Sequence, residues 1–203
     1  MPEIFVLVAH PQLEQSRVNH ALMDAAARAA PGRVEVRDLY ALYPDYLIDV
    51  AAEQALLADA RMLVWQHPIH WYGMPPLMKL WLDEVFAFGW AYGPGGHALQ
   101  GKDLWLAAST GGAEESYRPE GYNRYFFDAF VPPYEQTAAL AGMRFLPPLL
   151  LHGAHRIDDR ELAAHAALYA QRLASHPDWP EITDLEPCAP CLVPGDARPD
   201  REA

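Results

Sequence analysis

Residues Val64–Gly96 read VWQHPIHWYGMPPLMKLWLDEVFAFGWAYGPGG and contain, in order, the patterns of a strand, an aromatic loop and a helix. This stretch begins inside an apolar run, Met62–Trp65, which is bounded by polar and proline residues and has the pattern of a buried β-strand. After an aromatic loop, apolar residues recur at three- and four-residue spacing from Met74 to Val85, the pattern of a helix. A second aromatic loop, Phe88–Tyr92, then leads into glycines. Aromatic rings just past the carboxyl end of a strand favour a site for a flat ligand.

Strands and helices alternate along the rest of the chain. The sequence predicts strands at Glu3–Ala9, Arg33–Leu39, Arg61–Gln66, Lys102–Ser109 and Met143–Leu151. It predicts helices after Ser16, from Asp49 to Asp59, from Met74 to Val85, from Gln136 to Ala141, and from Asp158 or Asp159 to Ser175. This alternation predicts an α/β fold with a parallel sheet, whose ligand-binding loops follow the first, third and fourth strands.

Two segments carry no predicted element, and the chain ends in a tail. Tyr40–Asp49 reads as an aromatic connector, and Ala113–Tyr134 as a long segment rich in Tyr, Phe, Arg and Asn. We expect one domain over residues 1–180 and a Pro-rich acidic tail over 181–203 that is disordered. Both cysteines, Cys188 and Cys191, lie in this tail. They are a redox pair, half of a metal site or two incidental thiols, and a zinc site would need two more ligands.

The charge and hydropathy of the chain exclude some classes of binding partner. The net charge is −12, which argues against nucleic acid and anionic membrane surfaces. The start of the chain lacks the pattern of a signal peptide, and no apolar run approaches the ~20 residues of a membrane span. We therefore expect a cytoplasmic protein. An anionic cofactor remains compatible with this charge, because N–H groups at a helix start can hold phosphate.

The loop after the first strand combines a histidine with a polar helix start. His10 is followed by Ser16, Arg17, Val18 and Asn19, where a hydroxyl, an amide side chain and free N–H groups form a possible phosphate cradle. The alternative is that Ser16 simply caps the helix. Neither a Walker loop nor a GxGxxG dinucleotide motif is present.

The loops after the third and fourth strands complete the candidate site. Backbone amides of Pro68–Gly73 are placed to bond the edge of a planar ring, and the glycines of Ser109–Gly112 let the backbone approach a ligand closely. We interpret His67 as a structural histidine at a strand end, and His70 as the one that meets ligand. Other aromatic side chains have simpler readings: Trp81 is expected in the core, whereas Trp90 and Tyr92 line either a site or a subunit interface. No GxSxG nucleophile elbow is present.

Several blocks of sequence together resemble a known family. They are Ala9-His10-Pro11, Ser16 with Asn19, Asp38-Leu39-Tyr40, Tyr43-Pro44-Asp45, Ile48-Asp49, Glu53-Gln54, Trp65–Pro68, Trp71-Tyr72, Pro75–Leu77, Lys79–Asp83, Gly89–Gly93 and Ser109–Gly112. With these blocks, the chain from about Ile4 to Ala174 resembles the flavodoxin-like NAD(P)H:quinone oxidoreductases, and within them most the ancillary subunits of bacterial glutathione-regulated potassium-efflux systems. The resemblance implies a doubly wound sheet of five parallel strands in the order 2-1-3-4-5, with helices on both faces.

The same resemblance implies a non-covalent flavin, FMN rather than FAD, and NAD(P)H as co-substrate. By motif, His10 and Ser16–Asn19 would hold the phosphate and ribityl chain, while Ile69–Tyr72 and Ser109–Gly112 would hold the isoalloxazine. The family is typically homodimeric, with the flavin near the interface. The candidate cofactor-binding residues are His10, Ser16, Arg17, Val18, Asn19, Pro68, Ile69, His70, Trp71, Tyr72, Ser109, Thr110, Gly111 and Gly112.

One position departs from the family pattern. The larger quinone reductases carry a Tyr that Tyr117 matches, and then a His where this chain has Asn123. Asparagine donates a hydrogen bond but cannot exchange a proton near pH 7, which puts the acid–base half of that mechanism in question. Tyr117 is therefore the one candidate catalytic residue.

Three functions follow from these observations. The first is an FMN-dependent NAD(P)H:quinone oxidoreductase that works by ping-pong hydride transfer to a quinone. The second is a regulatory subunit on the cytoplasmic face of a potassium-efflux antiporter, which binds flavin but needs little or no turnover. The third is a flavodoxin-like carrier that exchanges single electrons with protein partners.

Overall fold

Five parallel strands form one sheet through the middle of the protein in the computed structural model, which describes residues 2–183 and residue 185. The strands are β1 (Ile4–Val8), β2 (Val34–Asp38), β3 (Met62–Pro68), β4 (Asp103–Ser109) and β5 (Arg144–Leu151). Their spatial order is β2-β1-β3-β4-β5, so the sequence prediction of a flavodoxin-like sheet is confirmed. Because all pairs are parallel, the carboxyl ends of the five strands meet at one edge.

Seven helices accompany the sheet in the described part of the chain. They are α1 (Arg17–Ala29), α2 (Leu39–Leu42), α3 (Val50–Asp59), α4 (Pro76–Val85), α5 (Pro132–Leu140), α6 (Asp159–Ser175) and α7 (Pro180–Thr183). Side chains of Ser16, Asp49 and Asp158 accept the N–H of the residue three positions on and so cap α1, α3 and α6. Pro76 occupies the first turn of α4, where a missing N–H costs nothing.

The core lies in two layers, one on each face of the sheet. Along β1, Phe5 and Leu7 pack into one layer and Val6 and Val8 into the other. Every residue of β1 is buried, as expected for a central parallel strand covered on both sides. Trp81 on α4 is fully buried, as the sequence indicated.

The structure differs from the predicted elements at α2 and α5, and it has short 3-10 helices at Glu114–Ser116 and Phe127–Phe130, in a segment predicted to carry none. The connector after β2 begins as a short helix, α2, because the Asp38 side chain accepts the N–H groups of Tyr40 and Ala41. Helix α5 begins at Pro132, four residues before the predicted start at Gln136, because proline is well suited to a first helical turn.

The end of the described chain continues the domain slightly beyond residue 180. Ile182 of α7 is buried against the second core layer. Most of the predicted tail, including Cys188 and Cys191, lies outside the described residues. No helix within those residues is long and apolar enough to cross a membrane.

Candidate functional site

A cavity of about 660 Å³ opens at the carboxyl edge of the sheet. Ligand pockets in proteins typically measure about 300–1,000 Å³, so a mononucleotide-sized ligand can be accommodated. Its walls are His10, Pro11, Gln12, Gln15, Ser16, Arg17, Val18, Asn19, Pro68, Ile69, His70, Ser109, Thr110, Gly111, Ala154 and His155. Three of the candidate cofactor-binding residues, Trp71, Tyr72 and Gly112, are not among them.

The start of α1 forms one end of the cavity. The backbone N–H groups of Arg17 and Val18 make no hydrogen bond within the described part of the chain, and they lie at the positive end of the helix dipole. The Ser16 hydroxyl accepts the Asn19 N–H at 3.2 Å and keeps its own hydrogen for a ligand. These donors fit a phosphate group.

The guanidinium of Arg17 is occupied elsewhere. It donates to the Asp159 carboxylate at 2.7 Å and to the Ile157 carbonyl oxygen at 3.2 Å. It therefore braces α1 against the start of α6, and the cradle depends on the N–H groups and the hydroxyl rather than on this side chain.

A buried polar network ties α1 to the sheet beneath the cavity. The Asn19 amide donates to the Ser109 hydroxyl at 3.1 Å, and the Gln66 amide donates to the Asn19 carbonyl oxygen at 2.9 Å. All three side chains are almost fully buried. The network fixes the start of α1 relative to β3 and β4, and with it the position of the cradle.

The loop after β3 closes as a two-residue turn. His70 and Gly73 exchange backbone hydrogen bonds of 2.9 and 3.1 Å, and the two residues between them, Trp71 and Tyr72, have φ of +48° and +67°. Positive φ at both central residues is the mark of a type I′ turn, which normally has Asn and Gly at these two positions. Bulky residues in this region are strained, and such strain is typical of ligand-binding loops.

The turn sets which groups of the loop are free for a ligand. The Ile69 N–H is already paired with the Ser109 carbonyl oxygen at 2.7 Å, whereas those of Trp71 and Tyr72 have no partner among residues 2–183 and 185. The Tyr72 ring stacks on Phe130 with centroids 5.0 Å apart. The Trp71 ring is 95% exposed and projects into solvent.

Replacing Trp71 separates the backbone strain from the ring. Trp71→Asn and Trp71→Ala both remove the ring, but asparagine tolerates left-handed backbone better than alanine does. We expect the Asn variant to be the more stable of the two by about 0.5–1 kcal/mol, measured by urea unfolding without ligand. Equal stabilities would show that the turn is unstrained.

Three histidines, at the carboxyl ends of β1 and β3, have different environments. The rings of His10 and His70 lie 6.1 Å apart at the cavity wall. Burial lowers the pKa of His10, and the neighbouring His70 lowers it further, against a raising effect of Asp38. His67 is fully buried, its Nδ1 lies 2.9 Å from the Pro68 carbonyl oxygen, and burial lowers its pKa to about 4. This environment is that of a structural histidine.

The segment after β4 places Tyr117 beside the cavity rather than in its wall. Tyr117 is mostly buried, with its ring 5.4 Å from those of Phe127 and His152. Asn123 donates to the Ser116 hydroxyl at 3.0 Å and accepts the Tyr72 hydroxyl at 3.3 Å, so it braces this segment against the turn after β3.

Gly112 holds the loops together from behind the cavity wall. Its carbonyl oxygen accepts the Thr110 hydroxyl at 2.7 Å and the Gly153 N–H at 2.8 Å. A Cβ at this position would lie 2.7 Å from the Ser116 Oγ and from the Tyr122 hydroxyl, so only glycine fits without a shift.

Two aromatic residues that the sequence offered as site residues lie outside the cavity wall, and the loop after β5, which was not predicted, lies in it. Trp90 and Tyr92 pack partly buried against the core and do not line the cavity. Ala154 and His155, in the loop after β5, do line it. The strand order places the end of β5 beside β4, which is the signal that could have found them.

Fold and site together define a flavodoxin-like α/β protein with a nucleotide-sized cavity. The flavodoxin-like fold family matches residues 2–173. The glutathione-regulated potassium-efflux system ancillary protein KefF of Citrobacter koseri is 47% identical over 178 residues, covering 88% of this chain and 97% of that protein. General stress protein 14 of Treponema denticola, solved in complex with FMN, is 40% identical with a TM-score of 0.78, covering 85% of this chain and 98% of that one. An NADPH-quinone reductase from P. pentosaceus is 26% identical with a TM-score of 0.76, covering 87% and 99%.

The chain therefore belongs to the flavodoxin-like fold family, among the relatives of the potassium-efflux ancillary proteins. The resemblance drawn from the sequence is confirmed.

Proposed function

We propose that the protein is an FMN-dependent NAD(P)H:quinone oxidoreductase. The observation that carries this is the cavity itself, which combines a phosphate cradle at the start of α1 with loops of free N–H groups and glycines after β3 and β4. Bound FMN would accept electrons from NAD(P)H and pass them to the quinone. FMN in a relative that is 40% identical supports the choice of cofactor.

Each part of the cavity has a role in this proposal. The N–H groups of Arg17 and Val18 and the Ser16 hydroxyl hold the phosphate. The N–H group of Gly111 in the cavity wall and those of the Trp71-Tyr72 turn beside it would hold the polar edge of the ring and stabilise negative charge there. NAD(P)H and the quinone would bind in turn at the open side of the cavity, where the Tyr117 phenol would donate a hydrogen bond to the quinone oxygen.

We propose a homodimer that closes this open side. A patch of exposed aromatic side chains lies on the turn after β3 and on the segment after β4, at Trp71, Tyr72, Tyr122, Tyr125 and Phe126. Such a cluster is a candidate subunit interface. Sedimentation should show a dimer that Trp71→Ala weakens; a monomer at all concentrations would refute it.

A second function, regulation of a potassium-efflux antiporter from its cytoplasmic face, is favoured by the 47% identity to KefF. The two functions are compatible, and each has its own measurement. Co-purification with such a transporter, and its activation on addition of the protein, would establish the regulatory role. Activation by a variant that binds no FMN would show that this role is independent of the flavin.

The enzymatic function is tested on one preparation. The purified protein should be yellow, should release FMN rather than FAD on denaturation, and should oxidise NADH or NADPH when menadione is added. A colourless protein that takes up no FMN would overturn the proposal. Flavin binding without NAD(P)H oxidation would leave the regulatory role and the flavodoxin-like electron carrier.

A further inference from the structure

His152, the residue after β5, has no assigned role in the proposed reaction, yet it is hydrogen-bonded to Thr110, which also interacts with the Tyr117 phenol. Its Nδ1 lies 3.0 Å from the Thr110 hydroxyl oxygen, and its ring centroid lies 5.4 Å from that of Tyr117. Thr110 in turn lines the cavity. The half-buried imidazole therefore connects the cavity wall with the protein surface.

The direction of these hydrogen bonds follows from the chemistry of Thr110. Its hydroxyl has one hydrogen, which it donates to the Gly112 carbonyl oxygen at 2.7 Å, because a carbonyl oxygen can only accept. His152 must then donate its Nδ1–H to the Thr110 oxygen, which leaves Nε2 as the acceptor on the outer side. The Thr110 hydroxyl also interacts with the Tyr117 phenol, and rotation of this hydroxyl would direct its hydrogen to the phenol oxygen once the phenol has lost its own.

Quinone reduction needs a group that can supply a proton next to the substrate. A quinone that receives a hydride also needs one proton to become a hydroquinone, and Asn123, at the position of the family's His, cannot deliver one. We propose that His152 supplies that proton to Tyr117 through the Thr110 hydroxyl, and so takes the part that Asn123 cannot. The inference rests on the proposed quinone reductase function.

The proton transfer balances in four steps. The Tyr117 O–H bond breaks as the new O–H bond of the hydroquinone forms. The Thr110 hydroxyl turns from the Gly112 carbonyl oxygen to the phenolate and gives it its proton, and the Nδ1 proton of His152 passes to Thr110. Nε2 of His152 takes a proton from water, and exchange with solvent restores the Nδ1–H form. His152 thus acts through Tyr117, as a positioning and proton-supplying residue.

The groups that face His152, Thr110 and Tyr117 keep them neutral at rest. Burial lowers the pKa of His152, while the carboxylates of Glu114 and Glu115 raise it in part. Burial raises the pKa of the Tyr117 phenol, and its interaction with Thr110 partly offsets this. The hydroxyls of Tyr72 and Tyr122 are the other titratable groups near the phenol. A phenol and an imidazole that are both uncharged at neutral pH can pass a proton without leaving a buried charge.

His152→Asn separates proton supply from hydrogen bonding, because the Asn amide can replace the Nδ1–H donor but cannot exchange a proton. FMN content and reduction by NADH should match those of the natural protein. Electron transfer to a quinone should fall about 10- to 100-fold, since general acid catalysis contributes typically 10²–10⁴-fold. Transfer to ferricyanide, which takes electrons without protons, should be unchanged. The matched control is His165→Asn, on α6 and outside the cavity wall, which should alter neither acceptor.

A second readout needs neither flavin nor turnover. Proton–nitrogen correlation spectra of the imidazoles, assigned with the His152→Asn variant, should show His152 protonated on Nδ1 at neutral pH. Thr110→Val should shift the ring towards the Nε2–H form. An Nε2–H ring that does not respond to Thr110→Val would overturn the inference. So would equal loss with quinone and ferricyanide, or normal quinone reduction by His152→Asn. Failure of the natural protein to reduce any quinone would instead refute the proposed function.

Discussion

Replacing Glu53 with alanine is expected to lower the free energy of unfolding by about 3–5 kcal/mol, the cost of breaking a buried ion pair from one side. Glu53 on α3 is fully buried. Its carboxylate accepts hydrogen bonds from the Tyr43 hydroxyl at 2.6 Å and the Trp81 indole at 3.0 Å, and it also pairs with the Arg37 guanidinium. Alanine would leave two buried donors and the partly buried, charged Arg37 guanidinium without their acceptor.

A second carboxylate beside the same guanidinium gives the matched control. Glu35 lies 3.7 Å from Arg37 but remains partly exposed, so Glu35→Ala should cost no more than about 1 kcal/mol. Glu53→Gln keeps the shape and one acceptor and should fall between the two alanine variants. Urea unfolding of the three variants measures the differences. A Glu53→Ala protein as stable as Glu35→Ala would show that water or a rearrangement satisfies the three donors.

The sequence could not reveal the burial of Glu53. The helix that carries it reads as a short acidic segment, which by itself predicts an exposed surface. Its partners come from β2, from the residue after α2 and from α4, and only the tertiary fold brings them together. Local pattern therefore predicts that α3 exists, whereas the interaction that locks it in place is non-local.

The sheet, by contrast, was predictable because its signals are local. Apolar runs of strand length, or for β2 an alternation of apolar and polar residues, marked all five strands, and the capping residues Ser16, Asp49 and Asp158 marked three helix starts. Errors fell where a cap or a proline outweighs periodicity, at α2 and at Pro132. The strand order came from the resemblance, since periodicity does not determine it.

The part of the site that could be predicted follows from the rule that ligands bind at the carboxyl ends of parallel strands. Parallel strands put the loops after β1, β3 and β4 on one edge, and the structure places those loops around one cavity. The carboxyl end of β5 lies at the same edge, but the sequence analysis predicted no site residues after it, and His152 and His155 were not among the candidates. The left-handed backbone of Trp71 and Tyr72 also lay beyond the sequence, because residues of this type normally avoid it. The roles of the individual site residues stay predictions.

Ser16→Asp should weaken FMN binding by about 100- to 1,000-fold while leaving the fold intact. Aspartate caps a helix as well as serine does, so α1 should keep its start and its bond from the Asn19 N–H. Its carboxylate, however, would lie where the phosphate is proposed to sit. Two like charges about 4 Å apart repel by roughly 4 kcal/mol near a protein surface, and each 1.4 kcal/mol is a factor of ten in affinity.

The neutral variant Ser16→Asn is the matched control, because asparagine caps α1 equally well without the charge. Titration of FMN by fluorescence quenching should show near-natural affinity for Asn and a large loss for Asp. Riboflavin, which lacks the phosphate, adds a second control on the ligand side. It should bind the natural protein and both variants with similar affinity, since the repulsion needs both charges. An equal loss of riboflavin and FMN with Ser16→Asp would mean that the substitution deforms the cavity. Unchanged FMN binding would place the phosphate away from the start of α1, because no phosphate could share that cradle with a carboxylate without a measurable cost.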